Sequence, residues 1–315
     1  MENYLTDVSG LKVGHAAYEE AHTGVTVVIA EEGATAGVDV RGSAPGTREI
    51  ALLSPYKTVD KVNAIVLSGG SAYGLDASTG VMKYLEEHDI GLETGFAKVP
   101  IVSQAVLYDL NIGDPKIRPD ANLGYQACVN ASSKENRCGL IGAGAGATVS
   151  KVMGFDKAMK SGLGSYSIRS GDLVVSALVV PNALGDIYAD NKQLTGPYAK
   201  EKNKLYNSLE LMKNFNPNFQ ITNTTLAIVA TNASFDKAMA NKIAQVSHNA
   251  YAKAIRPVHT MNDGDTIFSL CTNEIKANID LVMLLAVEAL EKAIARAIYA
   301  SESVAGYIAY KDLKR

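Results

Sequence analysis

The sequence has few of the residues that build disulfide or metal sites. Its three cysteines, Cys128, Cys138 and Cys271, are an odd and widely spaced set, which argues against a disulfide framework or a zinc site. None of its five histidines has a ligand spacing such as His-Glu-x-x-His. We therefore expect no metal and no other cofactor.

Long apolar runs and charge of one sign are also missing. No stretch reaches 18 uncharged apolar residues, so we expect no membrane partner. The net charge of −3 comes from interspersed acids and bases, which leaves no basic stripe for nucleic acid. The first seven residues lack the basic region and apolar core of a signal peptide, so we expect a cytoplasmic protein.

The chain is nevertheless rich in apolar residues. Its 315 residues are 47% hydrophobic, which is enough for one large α/β domain or two smaller ones. Apolar runs at 25–30 and 36–40 predict two short strands. Ser234 can cap a long amphipathic helix that reaches about Ile255, and a second long helix begins near Asn278.

The Asn223–Thr224 bond lies where the character of the chain changes. Residues 196–222 lose apolar content and gain Lys, Asn and Pro, which predicts an exposed linker. Residues 223–231 then predict a strand that is buried on both faces. A hydroxyl at this point could attack the preceding carbonyl, and the α-amino group so released could activate the same hydroxyl. The alternative is a turn in which Asn is the cap and Thr opens the strand.

A second candidate is Asp263-Gly264-Asp265, which precedes the apolar run that starts at Thr266. Ordinary turn chemistry explains two aspartates around a glycine. Alternatively, two neighbouring carboxylates push their ionisations apart, so that one stays protonated while the other acts as a base.

The stretch richest in glycine, residues 139–151, ends at Lys151. It lacks the acidic residue that a dinucleotide fingerprint needs about 20 positions later, and it lacks the Gly-Lys-Ser/Thr ending of a phosphate-binding loop. Small residues here favour close approach of backbones around a pocket, with Lys151 at its rim. An isolated lysine is also typical of ordinary surface.

Taken together, these segments resemble one family, the self-processing aminopeptidases of the L-aminopeptidase/D-esterase type. The likeness covers nearly the whole chain and is strongest to the nylon-oligomer hydrolase branch. It rests on separated motifs in family order, at residues 24–27, 37–42, 103–109, 142–151, 180–182, 223–225 and 259–268. It implies one catalytic domain over 1–315, folded as a four-layer α/β/β/α sandwich of the N-terminal-nucleophile type that ornithine acetyltransferases share.

The resemblance also implies roles for individual residues. Thr224 would be the nucleophile for self-cleavage, which yields fragments 1–223 and 224–315, and for hydrolysis of short peptides, related amides or esters. Tyr108 and Asn182 would hold the substrate amide or stabilise the oxyanion, and Lys151 would supply positive charge. Asp263 and Asp265 would orient Thr224 and bind a substrate ammonium group. The paired fragments would assemble as a tetramer.

The chain departs from the aminopeptidase branch at two motifs, since that branch has a serine nucleophile and a Ser-Gly-Glu turn. Its amino-acid preference therefore does not transfer to this sequence. Two other functions stay open at this point: acyl transfer of the ornithine acetyltransferase kind, and a binding protein that retains the scaffold without catalysis.

Overall fold

Runs of valine, isoleucine and leucine form the strands of one large mixed sheet. The structure is a computed structural model that describes residues 3–215 and 223–313. The strands of the large sheet are β1 Leu11–Tyr18, β2 Thr23–Val40, β3 Gly46–Arg48, β4 Lys61–Ser68, β7 Val102–Val106, β10 Gly164–Ser170, β11 Leu173–Val180, β16 Leu226–Ala233 and β18 Thr266–Ile275. Shorter ladders are made by β5 Leu92–Glu93, β6 Lys98–Val99, β8 Thr148–Val149, β9 Met159–Lys160, β12 Asp186–Ala189, β13 Lys192–Gln193, β14 Tyr198–Ala199, β15 Lys204–Leu205 and β17 Ile255–Arg256.

The helices of the described residues are α1 Ala77–Glu87, α2 Ala121–Val129, α3 Ser208–Phe215, α4 Lys237–Ala254 and α5 Ile279–Tyr299. The pair α1 and α2 and the pair α4 and α5 cover the two outer faces of the large sheet. Asp236 caps α4 by accepting a hydrogen bond from the Met239 amide, so the cap predicted at Ser234 is wrong by two residues. Asn278 caps α5, which begins next to the predicted start. Within the described residues, no helix is long and apolar enough to cross a membrane.

Strand β2 connects the two halves of the sheet. Its first part pairs with β1 and β4, and its last part pairs with β18. The register is irregular between Ile29 and Ala34, where Glu31 and Glu32 are exposed and Gly33 has φ 75°. The prediction of two separate strands at 25–30 and 36–40 is therefore wrong, because the chain bends here and continues as one strand.

Three apolar cores separate four layers. Leu226 and Ile228 of β16 point into a core that they share with residues of β1, β2 and β4. Ala227 and Val229 alternate with them and face a second core under α4 and α5. A third core lies between β2, β4 and the helices α1 and α2. The two halves of the large sheet thus form two layers that pack on each other, and each is covered by a layer of helices. This arrangement confirms the predicted four-layer α/β/β/α sandwich. Each fully buried Leu, Ile or Val contributes about 1.5–3 kcal/mol to the free energy of folding.

The predicted linker is only partly as expected. Residues 196–215 contain the β14–β15 hairpin and α3, so this part of the predicted exposed linker has regular secondary structure, although most of its residues are exposed or half-buried. Helix α3 is anchored because the buried Asp186 carboxylate accepts hydrogen bonds from the Ser208 amide, at 2.7 Å, and from its hydroxyl, at 2.6 Å. The rest of the predicted linker, residues 216–222, lies outside the described residues.

Strand directions bring three distant motifs to one edge of the sheet. Strands β16 and β18 are parallel neighbours, so their first residues lie side by side. Strand β11 is antiparallel to β16, so its last residue lies at the same edge. Leu226 accordingly pairs with Val180 on one side and with Thr266 on the other. The residues just outside these three positions, namely Asn182, Thr224 and the Asp263–Asp265 turn, therefore meet.

Candidate active site

Thr224 lies at the centre of this edge, directly after Asn223. The Thr224 hydroxyl donates a hydrogen bond to the Asn223 carbonyl oxygen, and the Gly264 amide donates a second one to the same oxygen at 2.9 Å. The Thr224 amide donates to the Asn182 carbonyl at 3.1 Å. Thr224 is only 2% exposed. The predicted buried strand is confirmed and begins two residues later, at Leu226.

Asp263 approaches this threonine from the parallel neighbour. Its Oδ2 accepts hydrogen bonds from the Thr260 amide, at 2.8 Å, and from the Thr260 hydroxyl, at 2.6 Å. Its Oδ1 is buried and has no hydrogen-bond partner among the described residues. Burial and then the charge of Asp265 raise the pKa of Asp263 to about 6, against the opposing effects of Thr260 and Lys151. Asp263 Oδ2 is therefore hydrogen-bonded, whereas Oδ1 is available to accept a hydrogen bond.

Asp265 is held differently, although it is only two residues away. Its Oδ1 accepts a hydrogen bond from the Thr225 amide at 2.7 Å. Its Oδ2 accepts from the His259 amide at 3.2 Å and pairs with His259 Nδ1 at 2.8 Å. Both oxygens are therefore occupied, and the residue is 1% exposed.

Lys151 and Asn182 form the third side of the site. Lys151 is fully buried, and its Nζ donates to the Asn182 backbone oxygen at 2.9 Å and to the Asn182 side-chain oxygen at 2.8 Å. Burial lowers the pKa of Lys151 to about 7, although Asp263 and Asp109 oppose this effect. The Asn182 backbone oxygen also accepts from the Thr224 amide, so one carbonyl contacts both the lysine and the candidate nucleophile.

Tyr108 joins the site through its backbone. Its carbonyl accepts a hydrogen bond from Asn182 Nδ2 at 2.8 Å, and its ring stacks on Phe155 with the centroids 6.3 Å apart. Asn182 thus contacts Tyr108, Lys151 and Thr224 at once. The structure brings together all the predicted site residues: Tyr108, Lys151, Asn182, Asn223, Thr224, Asp263 and Asp265.

The structure also shows contacts made by residues to which the sequence assigned no role. Thr260 and His259 hold the two carboxylates, and the spacing of three residues from Thr260 to Asp263 is a local turn signal that could have indicated the first contact. Lys160 is a second fully buried cation, which donates to Ala147 and Ser161 carbonyls under the glycine-rich loop. Burial lowers its pKa to about 7. No motif surrounds Lys160 in the sequence, so only the fold reveals it.

The charged groups of the site are arranged for proton transfer and for binding a polar group. A buried acid with pKa about 6, a buried lysine with pKa about 7 and a hydroxyl that contacts a backbone carbonyl lie at the same edge of the sheet. Within residues 3–215 and 223–313, no three His, Cys, Asp or Glu side chains converge in a way that could hold a metal ion. What this geometry supports is acyl chemistry by side chains and backbone amides.

Comparisons with known proteins agree with this picture. A family model described as peptidase family S58 matches residues 3–311. An uncharacterized aminopeptidase of Mycobacterium leprae is 36% identical, over 98% of this chain and 93% of its own length. A 6-aminohexanoate-oligomer endohydrolase of Kocuria sp. strain KY2 is also 36% identical, over 87% of this chain and 76% of its own length.

Solved structures share the fold at lower sequence identity. The L-aminopeptidase D-Ala-esterase/amidase of Ochrobactrum anthropi, which is described as a variant of the Ntn hydrolase fold, superposes with a TM-score of 0.74 at 17% identity, covering 95% of this chain and 86% of that one. A Burkholderia sp. β-aminopeptidase superposes with a TM-score of 0.71 at 19% identity, covering 96% and 88%. At these identities the likeness establishes the fold.

Proposed function

The chain belongs to peptidase family S58 and is a hydrolase of peptides or amides, and we propose that it cuts itself between Asn223 and Thr224 and then uses Thr224 as its nucleophile. The observation that carries this proposal is the contact between the Thr224 hydroxyl and the Asn223 carbonyl, inside a buried site with an acid and a lysine. Self-cleavage would yield segments of 223 and 92 residues.

The first step of the proposed reaction is an acyl shift. Thr224 Oγ1 attacks the Asn223 carbonyl carbon, the C–N bond breaks, and the hydroxyl proton ends on the departing nitrogen, which becomes the α-amino group of Thr224. Negative charge develops on the Asn223 oxygen, to which the Gly264 amide already donates at 2.9 Å. Water then hydrolyses the ester and frees the hydroxyl.

The second role of the site is hydrolysis of a substrate by the new amino terminus. A free α-amino group has a pKa near 8, so a substantial fraction of it is neutral and can accept the proton of its own hydroxyl. Lys151 supports this role because it contacts the same Asn182 oxygen as the Thr224 nitrogen. In its protonated form, Lys151 favours the neutral form of the amine that contacts the same oxygen.

We assign short peptides and related amides or esters as substrates. The support is that one relative is named an aminopeptidase and another a 6-aminohexanoate-oligomer endohydrolase. The available Asp263 Oδ1 is a site for a substrate ammonium group. We also propose that the two fragments stay paired, because β16 lies between β11 of the first fragment and β18 of its own. The tetramer and the cytoplasmic location stay predictions.

The test is an intact mass with amino-terminal sequencing of the purified protein. We expect fragments of roughly 24 and 10 kDa, apportioned by length from 33.3 kDa, with Thr224 as the second amino terminus. Thr224→Ala should remain whole and inactive, whereas Thr224→Ser should still cut because it retains a hydroxyl. One full-length species after long incubation at neutral pH would overturn self-cleavage.

The activity assay uses aminoacyl p-nitroanilides and 6-aminohexanoate oligomers. The cut protein should hydrolyse at least one of these classes, and Thr224→Ala should hydrolyse neither. Incubation with acetylornithine and glutamate is the control for acyl transfer. Transfer of acetyl to glutamate without net hydrolysis would replace this proposal with the acyltransferase function.

A further inference from the structure

The two carboxylates of the Asp263–Asp265 turn have different surroundings. Asp265 accepts hydrogen bonds on both oxygens, from Thr225 on one and from His259 on the other. Asp263 keeps a buried Oδ1 that has no hydrogen-bond partner in the described part of the chain. The difference indicates that Asp265 holds the site together, while Asp263 has the oxygen that can act on a substrate.

His259 is the residue that orients Asp265. Both its backbone amide and its ring Nδ1 contact Asp265 Oδ2, at 3.2 and 2.8 Å. Its backbone has φ 56°, a left-handed conformation that only glycine adopts freely and that Asn, Asp and His tolerate better than most residues. The ring packs edge-on against His248, with centroids 4.9 Å apart, and lies 6.1 Å from the ring of Tyr251. These contacts fix the direction of Nδ1.

The opposite oxygen of Asp265 reaches the nucleophile's neighbour. Its Oδ1 accepts the Thr225 amide hydrogen at 2.7 Å, and Thr225 directly follows Thr224. The Thr225 carbonyl in turn accepts a hydrogen bond from the Thr266 amide at 3.1 Å. Both backbone groups of Thr225 are therefore hydrogen-bonded to the segment that leads into β18. A rotation of Asp265 would release the backbone next to Thr224.

We propose that His259 is a positioning residue of the active site, which orients Asp265 so that this carboxylate fixes the Thr224–Thr225 backbone for both self-cleavage and hydrolysis. The inference rests on the proposed function of Thr224. His259 contacts neither Thr224 nor Asn223 by a hydrogen bond within the described residues, so its effect passes through Asp265. Loss of positioning should reduce rates without removing a reacting group.

The test compares His259→Gly with His259→Asn. Glycine accepts φ 56° without strain, so the chain should fold. Because the ring is removed, the rates of self-cleavage and of substrate hydrolysis should each decrease about 10- to 100-fold. In the cut fraction, kcat should fall and KM should change little. Asparagine also tolerates this backbone, and its side-chain amide can donate to Asp265, so it should recover part of the loss. If Asn is no faster than Gly, the hydrogen bond is not the cause and the proposal fails.

His22→Gly is the matched control. His22 has a similar left-handed backbone, with φ 51°, at the end of a short 3-10 turn, so the same change there tests the effect of glycine alone. The His22→Gly variant should cleave itself and hydrolyse substrate at the wild-type rates. Far-ultraviolet circular dichroism should show that His22→Gly, His259→Gly and His259→Asn are all folded. Wild-type rates in His259→Gly would overturn the proposal.

A double-mutant cycle with Asp265→Asn separates positioning from an independent effect. If His259 acts only through Asp265, the double variant should be no slower than Asp265→Asn alone, whereas independent effects would multiply. Multiplied losses would overturn the proposal. If the wild-type protein neither cuts nor hydrolyses, the proposed function itself fails. If the wild type does both and His259→Gly matches it, only this inference fails.

Discussion

Replacing Asp263 with asparagine should change stability and activity in ways that depend on one buried charge. Asparagine has the same shape, and its oxygen can still accept both Thr260 hydrogen bonds. The substitution removes only the negative charge, together with the available Oδ1 acceptor. Its effect can therefore be predicted from the ionisation of the native carboxyl.

The magnitude follows from the pKa of Asp263, which burial raises from 3.8 to about 6. The folded chain binds this proton more tightly than the unfolded chain, so the free energy of unfolding decreases as pH rises from about 4 to about 6. Two pH units correspond to about 3 kcal/mol. This loss should be absent in Asp263→Asn. Any cost of the new buried amide group is the same at every pH, so the difference between pH 4 and pH 8 isolates the charge.

The stability assay uses urea unfolding of Thr224→Ala and of Thr224→Ala with Asp263→Asn, so that neither chain is cut. Asp60→Asn, at an exposed carboxylate, is the control and should leave the pH dependence unchanged. In the cut enzyme, Asp263→Asn should reduce turnover about 10²- to 10⁴-fold. It should also remove the change in turnover near pH 6 from the plot of turnover against pH. The reasoning is refuted if both uncut chains show the same pH dependence, or if cut Asp263→Asn retains near-normal turnover.

Three further outcomes are expected. Because burial lowers the pKa of Lys151 to about 7, the stability of Lys151→Met relative to its parent, both in the Thr224→Ala background, should be highest below pH 7. Urea unfolding should show this difference decreasing as pH rises toward 10.5. Asp265→Asn should lower kcat in any cut fraction, measured per amino-terminal Thr224; unchanged kcat would count against the positioning role of Asp265. The fragments should elute together from a sizing column without denaturant, because β16 and β18 lie between β11 and β2; separate peaks would contradict the pairing.

Local pattern was enough to predict several elements of the fold. The run after Thr224 is apolar at successive positions, and a strand with this pattern must bury both faces, as β16 does. The pattern failed where tertiary contacts override local preference. Strand β2 continues through two exposed glutamates because β4 and β18 supply partners on either side of the bend. Helix α3 lies in the segment predicted as a linker, and a carboxylate from outside that segment, Asp186, accepts a hydrogen bond from its first residue, Ser208.

The sequence by itself determined which chemical groups are present and where each lies relative to a strand: a hydroxyl before β16, two carboxylates before β18, and an amide after β11. Only the tertiary structure decided that these groups meet, because the parallel pairing of β16 with β18 and the antiparallel pairing of β11 with β16 join residues about 40 positions apart. It also decided that Asp263 and Asp265 differ. Their local sequence is nearly symmetrical about Gly264. Among the described residues, however, the Asp263 side chain accepts hydrogen bonds from Thr260 alone, whereas the Asp265 side chain is bonded by both His259 and Thr225.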